Sequence, residues 1–469
     1  MAPLGNQGTH RASTESDLTN PHEEYTFPMA DDGDALHLTG GIPLGGTVKI
    51  RGSKNAVPKL MVAALLTEEL VSIQNVSQIV DTRLVTELLE LLGCGTEQPA
   101  DGQLRIQARD IHTAATRDLE YFHARSRIPV LTCAPLLHRT GYAEVWKAGG
   151  CSIGERPVDL HLEVLRAFGA VSERTATGFK LTVDVGGLRG AVIELKYPSV
   201  GATEQFLLGA VVAAGDSELH NAAIEPEIID LISMLQRMGA FITVQPDRVI
   251  QVTGVSQLRG VSHTAIPDRL EAASWASLAL ATDGRITVRG VRQADLGTYL
   301  NVYRRAGGEF DFSSDGTEVT FRREMSMPRP LVIETDVHPG FMTDWQSPMI
   351  TALTQADGVT VLHETVHENR LAYGKALQAL GAQMQVFTEC LGRTPCRFGS
   401  RNHQHSAVVV GPTKLQGTNV HVPDLRAGFS YVLAALAAQG DSTVTGVSLL
   451  DRGYENFREK LISIGAKLR

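Results

Sequence analysis

Residues 228–240 read IIDLISMLQRMGA, an amphipathic helical pattern that closes on Met238-Gly239-Ala240. Apolar residues recur there at the spacing of one helix face, and glycine just after a helix favours a left-handed C-cap. The same closing phrase recurs at intervals of roughly 70 to 85 residues, which indicates an internal structural repeat. The other copies are Leu92-Gly93-Cys94, Phe168-Gly169-Ala170, Ala306-Gly307-Gly308, Leu380-Gly381-Ala382 and Ile464-Gly465-Ala466.

Most repeats also hold a second helix, rich in alanine and leucine, which leads through a Gly-containing or acidic turn into a short β-branched strand such as 285–289. Because 469 residues exceed what one hydrophobic core usually supports, six units predict an α/β protein of two three-unit domains. The second helices are predicted at 57–66, 204–214, 272–281, 345–354 and 429–438, and the amphipathic ones include 86–92, 158–168, 228–238 and 457–464.

The composition narrows the class of protein. The formal net charge is -9, and no Lys/Arg-rich run overturns it, so we expect no nucleic-acid partner. No stretch approaches the ~20 uninterrupted apolar residues of a membrane span, and the first residues lack a signal pattern. The five cysteines are scattered without CxxC or zinc-type spacing, which predicts a cytoplasmic protein without a metal site. Residues 1–36 have the composition of a disordered tail.

Residues 149–161 read GGCSIGERPVDLH and place one thiol, Cys151, among glycines and near the guanidinium of Arg156. The glycines allow the loop to move, and the cation favours thiolate character or binds an anionic substrate. The alternative is a buried structural cysteine, the commoner fate of this residue. The Gly-rich polar setting favours the reactive interpretation. A second unusual stretch, 390–406, is rich in Arg, Gly and His, and we interpret it as a solvated hairpin extension rather than a site.

Seven segments together resemble the family of UDP-N-acetylglucosamine 1-carboxyvinyltransferases, in the order of that family's motifs and over nearly the whole chain from Leu38 onward. They are Lys54-Asn55-Ala56, the Cys151 loop, Ser199-Val200-Gly201-Ala202-Thr203, Thr343-Asp344, Glu368-Asn369-Arg370, Asp424-Leu425-Arg426 and Asp451-Arg452-Gly453-Tyr454.

The resemblance implies the fold of EPSP synthase: a two-domain inside-out α/β barrel, each domain made of three repeated βαβαββ-like units. We expect residues 54–265 to form the domain with the Cys151 catalytic loop, and residues 37–53 with 266–469 to form the second. The implied reaction transfers the enolpyruvyl group of phosphoenolpyruvate to a sugar hydroxyl of a uridine nucleotide and releases phosphate. It needs no metal or other cofactor, and it is a step of peptidoglycan precursor synthesis that fosfomycin targets.

By the same resemblance, Cys151 donates a proton to the donor's methylene carbon and Asp344 removes one from the acceptor hydroxyl, with Lys54 and Arg452 as further catalytic residues. Asp344 is also expected to cap the helix that follows it. Phosphoenolpyruvate brings a phosphate and a carboxylate into an acidic protein, so the cleft must gather cations. Those implied are Lys54, Arg127, Arg156, Arg426 and Arg452.

The resemblance assigns the nucleotide to two groups of residues. Asp159 would accept the uracil N–H, and Ser199 to Gly201 with Thr203 would offer hydroxyl and backbone N–H groups to the diphosphate at a helix start. The full set is Asn55, Arg156, Pro157, Val158, Asp159, Leu160, Ser199, Val200, Gly201, Thr203, Asp344 and Val366. His161, His338, His363 and His367 are expected to be packed or surface histidines.

The chain departs from the family pattern at Tyr197-Pro198, where the family has a basic residue, at 146–148 before the Gly-Gly-Cys loop, and at Leu131, where an aromatic is expected. Three functions therefore stay open. The first is transfer to the 3-hydroxyl of UDP-N-acetylglucosamine. The second is the same transfer to the 3'-hydroxyl of UMP in a nucleoside-antibiotic pathway. The third is a non-catalytic paralogue that binds a uridine nucleotide.

Overall fold

The computed structural model describes residues 34–113, 116–146, 158–394, 396–399 and 401–469, without the side chains of residues 116, 117 and 426. The α-helices are α1 (Val57–Ala63), α2 (Val80–Leu91), α3 (Thr116–Arg125), α4 (Cys133–Thr140), α5 (Asp159–Ala167), α6 (Val200–Ala210), α7 (Pro226–Arg237), α8 (Arg269–Ala281), α9 (Gly297–Arg305), α10 (Thr343–Leu353), α11 (Gly374–Ala379), α12 (Leu425–Ala437) and α13 (Phe457–Ser463). None of these helices is long and apolar enough to cross a membrane.

The strands are β1 (Ala35–Gly40), β2 (Gly45–Lys49), β3 (Val71–Gln74), β4 (Gly95–Glu97), β5 (Gln103–Gln107), β6 (Tyr142–Trp146), β7 (Val171–Arg174), β8 (Gly178–Thr182), β9 (Val192–Glu194), β10 (Asp216–His220), β11 (Phe241–Gln245), β12 (Val249–Thr253), β13 (Ser262–Thr264), β14 (Arg285–Arg289), β15 (Gly308–Phe312), β16 (Glu318–Arg323), β17 (Val332–Glu334), β18 (Gly358–His363), β19 (Gln383–Phe387), β20 (Ser406–Gly411), β21 (Asn419–His421), β22 (Gly440–Thr445) and β23 (Lys467–Leu468).

The sixfold repetition is confirmed by the sheets. Within the described residues there are six separate sheets and no closed barrel. Five sheets share one pattern, in which a parallel edge strand precedes three antiparallel strands. Examples are β9-β10-β12-β11 and β17-β18-β20-β19. The sixth, β6-β8-β7, has three strands. A left-handed glycine at the helix end repeats with the sheets. All six predicted helix-ending glycines have positive φ, from 83° to 107°.

The helices divide into two kinds, as the sequence predicted. Some are amphipathic and cover one face of a sheet, such as α7, which buries one face over Pro226–Arg237. Others are buried almost all round, such as α8 and α10, and α8, α10 and α12 pack against one another. The buried apolar side chains form two clusters, one drawn from Val57 to Ala265 and the other from Leu36 to Ile50 together with Ala272 to Ala466. We propose that these are the cores of two domains.

Two expectations need correction. The disordered tail was predicted to reach residue 36, but Ala35 and Leu36 belong to β1, which pairs with β22, and Leu36 is 1% exposed. The polar composition hid this strand because only its alternate residues face the core. The 390–406 stretch is also not a simple solvated hairpin, since Phe398 and His405 are buried and their rings pack together.

Candidate active site

The predicted site residues lie where buried helices begin. Lys54 and Asn55 precede α1, and Asp268 caps α8, its carboxylate accepting from the backbone N–H groups of Leu270 and Glu271. The two helix starts meet because the backbone N–H of Lys54 donates to Asp268 Oδ2 at 3.0 Å. In the sequence, Lys54 shortly precedes the residues of the first apolar cluster, which begins at Val57, and Asp268 shortly precedes the part of the second cluster that begins at Ala272. The junction of the two halves is therefore built from helix N-termini, which favour anions.

Asp81 joins two of the predicted catalytic cations. Its carboxylate lies 2.5 Å from Lys54 Nζ and 2.9 Å from Arg452 Nε, and Arg452 also donates to the carbonyl of Arg125 at 2.9 Å. Burial raises the pKa of Asp81, but Lys54 and Arg452 together outweigh burial and hold it below its ordinary value. Each cation keeps 21% of its side chain exposed. Two partly exposed cations thus lie against one buried carboxylate at the junction, an arrangement that can offer both cations to an anion.

Asp344 lies in the first turn of α10, and its Oδ1 accepts from Arg370 Nη2 at 2.5 Å. The expectation that Asp344 caps this helix is wrong, since the helix begins at Thr343 and its N-cap residue is Met342. The carboxylate is 8% exposed and Arg370 is 3% exposed. Arg370 belongs to the Glu368-Asn369-Arg370 motif, and its contact orients the carboxylate at the end of the helix.

A buried carboxylate also holds the loop that carries Val366. Glu364 accepts from the backbone N–H groups of Val366 and His367, at 2.7 and 2.9 Å, and from the hydroxyl of Thr343 at 2.8 Å. The start of α10 and the 365–367 loop are therefore tied to one side chain. Burial raises the pKa of Glu364, while its hydrogen bonds and Arg370 oppose that shift.

Arg397, in the 390–406 stretch, bridges the two halves beside this loop. Its guanidinium donates to the carbonyl of Val366 at 2.5 Å and lies 4.6 Å from the ring centroid of Tyr197. Tyr197 is the residue at which the sequence lacks the family's cation, just before the start of α6. The structure brings a cation to that position from a distant part of the chain.

The start of α6 is capped by Ser199, whose hydroxyl accepts from the backbone N–H of Ala202 at 3.4 Å. Thr203 was expected to offer its hydroxyl to a diphosphate. In this conformation it is fully buried, donates to the Ser199 carbonyl and accepts from the Ala223 N–H. Thr203 thus holds the helix start. Gly201 lies close against His161, where an added Cβ would come within 2.8 Å of Nε2.

The remaining predicted residues fall around this helix start or outside the described residues. Val158 is buried before α5, and Asp159 and Leu160 lie in its first turn, the former exposed. Arg127 interacts with Tyr197 and with buried His161, and burial and Arg127 lower the pKa of His161 to about 4, so this histidine is neutral. Cys151, Arg156 and Pro157 lie outside the described residues, as does the side chain of Arg426, although its backbone lies in α12.

Sequence reasoning missed Asp81, Glu364 and Arg397. Asp81 occupies an ordinary first-turn position of an amphipathic helix, a common place for an acid. Glu364 follows a β-strand that ends in histidine, with no motif around it. For Arg397 there was a signal, since it belongs to the stretch rich in Arg, Gly and His, but its partner is 200 positions earlier in the chain.

Comparisons with known proteins show the family of the chain. A family model described as "EPSP synthase (3-phosphoshikimate 1-carboxyvinyltransferase)" matches residues 38–461. A protein of Protochlamydia amoebophila named UDP-N-acetylglucosamine 1-carboxyvinyltransferase is 44% identical over 93% of this chain and 94% of its own length. A protein of Chlamydia trachomatis serovar D with the same name is 42% identical over 92% of this chain and 97% of its own.

Solved structures confirm the fold. The enolpyruvyl transferase NikO from Streptomyces tendae superposes with a TM-score of 0.80 at 25% identity, covering 93% of this chain and 98% of its own. An EPSP synthase from Acinetobacter baumannii gives a TM-score of 0.68 at 16% identity, covering 93% and 99%. The predicted EPSP synthase-like α/β fold is thus confirmed.

Proposed function

The chain belongs to the EPSP synthase family and, within it, to the UDP-N-acetylglucosamine 1-carboxyvinyltransferases, and we propose that it transfers the enolpyruvyl group of phosphoenolpyruvate to the 3-hydroxyl of UDP-N-acetylglucosamine. Phosphate is the second product. The reaction supplies a precursor of peptidoglycan, and we place it in the cytoplasm, where the cysteines stay reduced.

The Lys54–Asp81–Arg452 cluster is the observation that carries the proposal. Phosphoenolpyruvate has two anionic groups on a three-carbon frame, so its site needs at least two cations held a short distance apart. Asp81 holds the ammonium of Lys54 and the guanidinium of Arg452 against its two carboxylate oxygens, and both remain partly exposed. We assign the phosphate to the Lys54 side, with Arg156, and the carboxylate to Arg452, whose planar fork matches a planar anion.

In the first step, the acceptor oxygen forms a bond to C2 of phosphoenolpyruvate. The acceptor hydroxyl gives its proton to Asp344, and C3 receives a proton from Cys151, so the double bond becomes a single bond. The resulting adduct carries the phosphate, the carboxylate and the sugar oxygen on C2. Arg370 sets the direction of the Asp344 carboxylate through the 2.5 Å contact, which fixes where a hydroxyl can approach.

In the second step, C3 gives a proton to the Cys151 thiolate left by the first step, the C2–C3 double bond re-forms and the bond between C2 and the phosphate oxygen breaks, while Asp344 passes its proton to the departing phosphate. Negative charge gathers on the departing phosphate. Lys54 and the neighbouring cations stabilise that charge in place, because a preorganised cation needs no reorganisation as the charge develops. The protein's own residues thus cover the proton transfers and the charge.

We place the nucleotide along the start of α6 and the first turn of α5. α6 begins at Val200, where the first backbone N–H groups have no partner within the helix, and Tyr197, three residues before this start, interacts with Arg127, so a diphosphate there would meet both a helix dipole and a cation. Arg397 adds a second positive charge beside Tyr197. Asn55, Asp159 and Val366 complete the proposed contacts.

Phosphate release from phosphoenolpyruvate, measured with UDP-N-acetylglucosamine or UMP offered singly, tests the acceptor. Release with the first is the expected result. Release with UMP alone would establish the second acceptor, whereas the 44% identical relative carries the UDP-N-acetylglucosamine name. If neither acceptor gives phosphate release, the proposed catalysis is wrong and the non-catalytic paralogue is favoured.

Asp344→Asn tests the proposed base. We expect kcat to fall by about 10²–10⁴-fold, the usual share of a general base, while nucleotide binding measured by calorimetry changes little. Asparagine keeps the shape and its Oδ1 can still accept from Arg370, but the buried guanidinium loses its counter-charge, so thermal unfolding of the variant is measured alongside kcat. A kcat within a few fold of wild type would remove Asp344 from this role.

Cys151→Ser tests the proposed acid. The thiol should be the residue that fosfomycin alkylates, and the serine variant should resist covalent labelling as followed by intact-protein mass. Equal labelling of the variant would contradict the assignment.

A further inference from the structure

The long connection between β19 and β20 lies beside the end of β18. In this sheet His363 is paired with Ser406, and Ser406 with Phe387, so the end of β18, the start of β20 and the end of β19 are neighbours. Residues 388–405 leave the sheet at this corner and return to it. The same corner of another repeat is closed by Pro246–Arg248 between β11 and β12. The extra chain is therefore a local addition to a repeated scaffold.

Four metal-ligating side chains converge at this corner. One ligand atom each from His363, Cys390, Cys396 and His405 lies within 4.8 Å of all the others, and His405 Nε2 is 3.3 Å from Cys390 Sγ. A tetrahedral zinc with Zn–S of about 2.3 Å and Zn–N of about 2.0–2.1 Å spaces its ligand atoms by roughly 3.3–3.8 Å. Small side-chain adjustments would bring these four to that spacing.

Both histidines of the cluster are fully buried, and each has a ring nitrogen available to a metal. His363 is fully buried, its Nδ1 lies 3.7 Å from Oε2 of Glu334, and neither ring nitrogen makes a hydrogen bond among the described residues. A buried Nε2 without a hydrogen bond is costly, and a metal bond would remove that cost. His405 is also fully buried, and its Nδ1 lies 2.8 Å from the carbonyl of His403, which leaves Nε2 for a metal.

The backbone also accommodates sulfur. The N–H of Phe398 donates to Cys396 Sγ at 3.3 Å, a contact that stabilises a thiolate. Gly399 approaches Cys390 so closely that an added Cβ would lie 3.1 Å from Sγ, and at Gly392 an added Cβ would lie 2.2 Å from Nδ1 of His363. Both glycines keep the chain close to the cluster.

We propose that His363, Cys390, Cys396 and His405 form a structural Zn²⁺ site. On binding, the two thiols release their protons to solvent and the two imidazoles bind neutral, so two thiolates balance the charge of the ion and the ion with its four ligands has no net charge. Four protein ligands leave no open position, which makes the site structural rather than catalytic. A disulfide between the cysteines would leave Nε2 of His363 without a hydrogen bond among the described residues, so the two imidazoles favour the metal.

The site would fix the segment that carries Arg397. That residue lies directly after Cys396, contacts Tyr197 in the other half and donates to the Val366 carbonyl. The site was not predicted from the sequence, in which the cysteines lack zinc-type spacing. The fourth ligand comes from β18, 27 positions before Cys390, and the cysteines are not in a CxxC pair.

Metal content of the purified wild-type chain is the primary test. The protein is prepared with a tag that holds no metal and without chelators, and zinc is measured by inductively coupled plasma mass spectrometry. We expect one zinc per chain in the wild type and its loss in Cys390→Ser/Cys396→Ser. The matched control is Cys133→Ala, a buried cysteine of the other half, which should keep its zinc.

A second measurement uses the wild type alone, in case the double variant does not fold. The chain is stripped, reloaded with Co²⁺ and examined by visible absorption, where tetrahedral thiolate coordination gives intense bands. Those bands, and zinc uptake that returns on reloading, support the site. Two outcomes overturn it: wild-type protein that takes up neither ion while both thiols react freely, or a Cys390–Cys396 disulfide found by mass spectrometry of the freshly isolated chain.

Discussion

Asp81 and Glu204 are equally buried carboxylates beside lysines of the same chain segment, yet their pKa values move in opposite directions. Both side chains are 5% exposed. Asp81 contacts Lys54 at 2.5 Å and Arg452 at 2.9 Å, and its pKa lies below the ordinary value. Glu204 lies 3.5 Å from Lys59, which also donates to the carbonyl of Asn55, and burial raises its pKa to about 7.

Burial raises the pKa of both acids, so their charged partners decide the net direction. Two close cations outweigh desolvation at Asp81, whereas at Glu204 one shared cation at a longer distance does not, and Glu225 and Glu227 raise the pKa further. The charged cluster lies at the junction where substrate anions are proposed to bind. Glu204 is within α6, behind the helix start that is proposed to receive the nucleotide.

Arg452→Met is expected to have the largest effect on activity. It removes a cation that is proposed to bind the substrate, and it leaves Asp81 with one cationic partner, as Glu204 has. We expect kcat/KM for phosphoenolpyruvate to fall by about 10²–10³-fold, or about 2.7–4 kcal/mol, as for other lost charge-stabilising groups. Steady-state phosphate release measures this.

The same variant tests the electrostatics. The stability that ionised Asp81 contributes is present above pH 3.8, its ordinary pKa, and is lost as the pH falls through its lowered pKa in the folded protein. With one cation removed, the variant should gain less stability than wild type as the pH rises. The matched control is Arg51→Met, which breaks the contact to Glu455 within one half and should keep kcat/KM within a few fold. Equal losses in both variants would contradict a specific role for Arg452.

Glu204→Gln is expected to have the next largest effect, and this effect is on the free energy of unfolding. Between pH 4.5 and about 7 the unfolded carboxyl is ionised while the folded one keeps its proton, so wild-type stability falls as pH rises through this window. Glutamine cannot ionise, so the variant lacks this pH dependence. The dependence amounts to up to about 3 kcal/mol of unfolding free energy, at 1.36 kcal/mol per pKa unit. Urea unfolding at several pH values measures it, with exposed Glu163→Gln as the control. Parallel pH profiles for wild type and Glu204→Gln would contradict the raised pKa.

Arg397→Ala has the smallest expected effect. Loss of its contact with Tyr197 should raise KM for the nucleotide by about 2- to 5-fold, since a cation–π contact contributes about 0.5–1 kcal/mol at an exposed site, and leave kcat unchanged. Arg401→Ala, an exposed arginine of the same stretch, is the control. A variant with unaltered KM would show that the bridge does not reach the nucleotide.

Much of the fold could be read from the chain because its cause is local. The glycine that ends each amphipathic helix takes a positive φ at all six predicted positions, and strand 285–289 has the predicted bounds. Helix starts were less accurate. The 204–214 helix begins at Val200, because Ser199 caps it and hydrophobic periodicity does not register a cap.

Candidate site residues could be named from the sequence where they form contiguous motifs, but not their distant partners. Lys54 and Arg452 were predicted from their motifs, whereas the contact of Arg452 with Asp81 joins positions 371 apart. Thr203 was assigned to the ligand, although its hydroxyl is consumed inside the helix start. A side chain's partners depend on the packing of helices that the local pattern does not specify.

The amino-acid sequence by itself determined the six repeats, their α/β character and the family motifs, since helix periodicity, glycine caps and contiguous motifs act over a few residues. Only the tertiary structure decided that Asp81 would hold two cations from different halves and that His363 would meet Cys390, Cys396 and His405. Those arrangements depend on long-range packing, which sets the distances and the desolvation that govern charge and metal affinity.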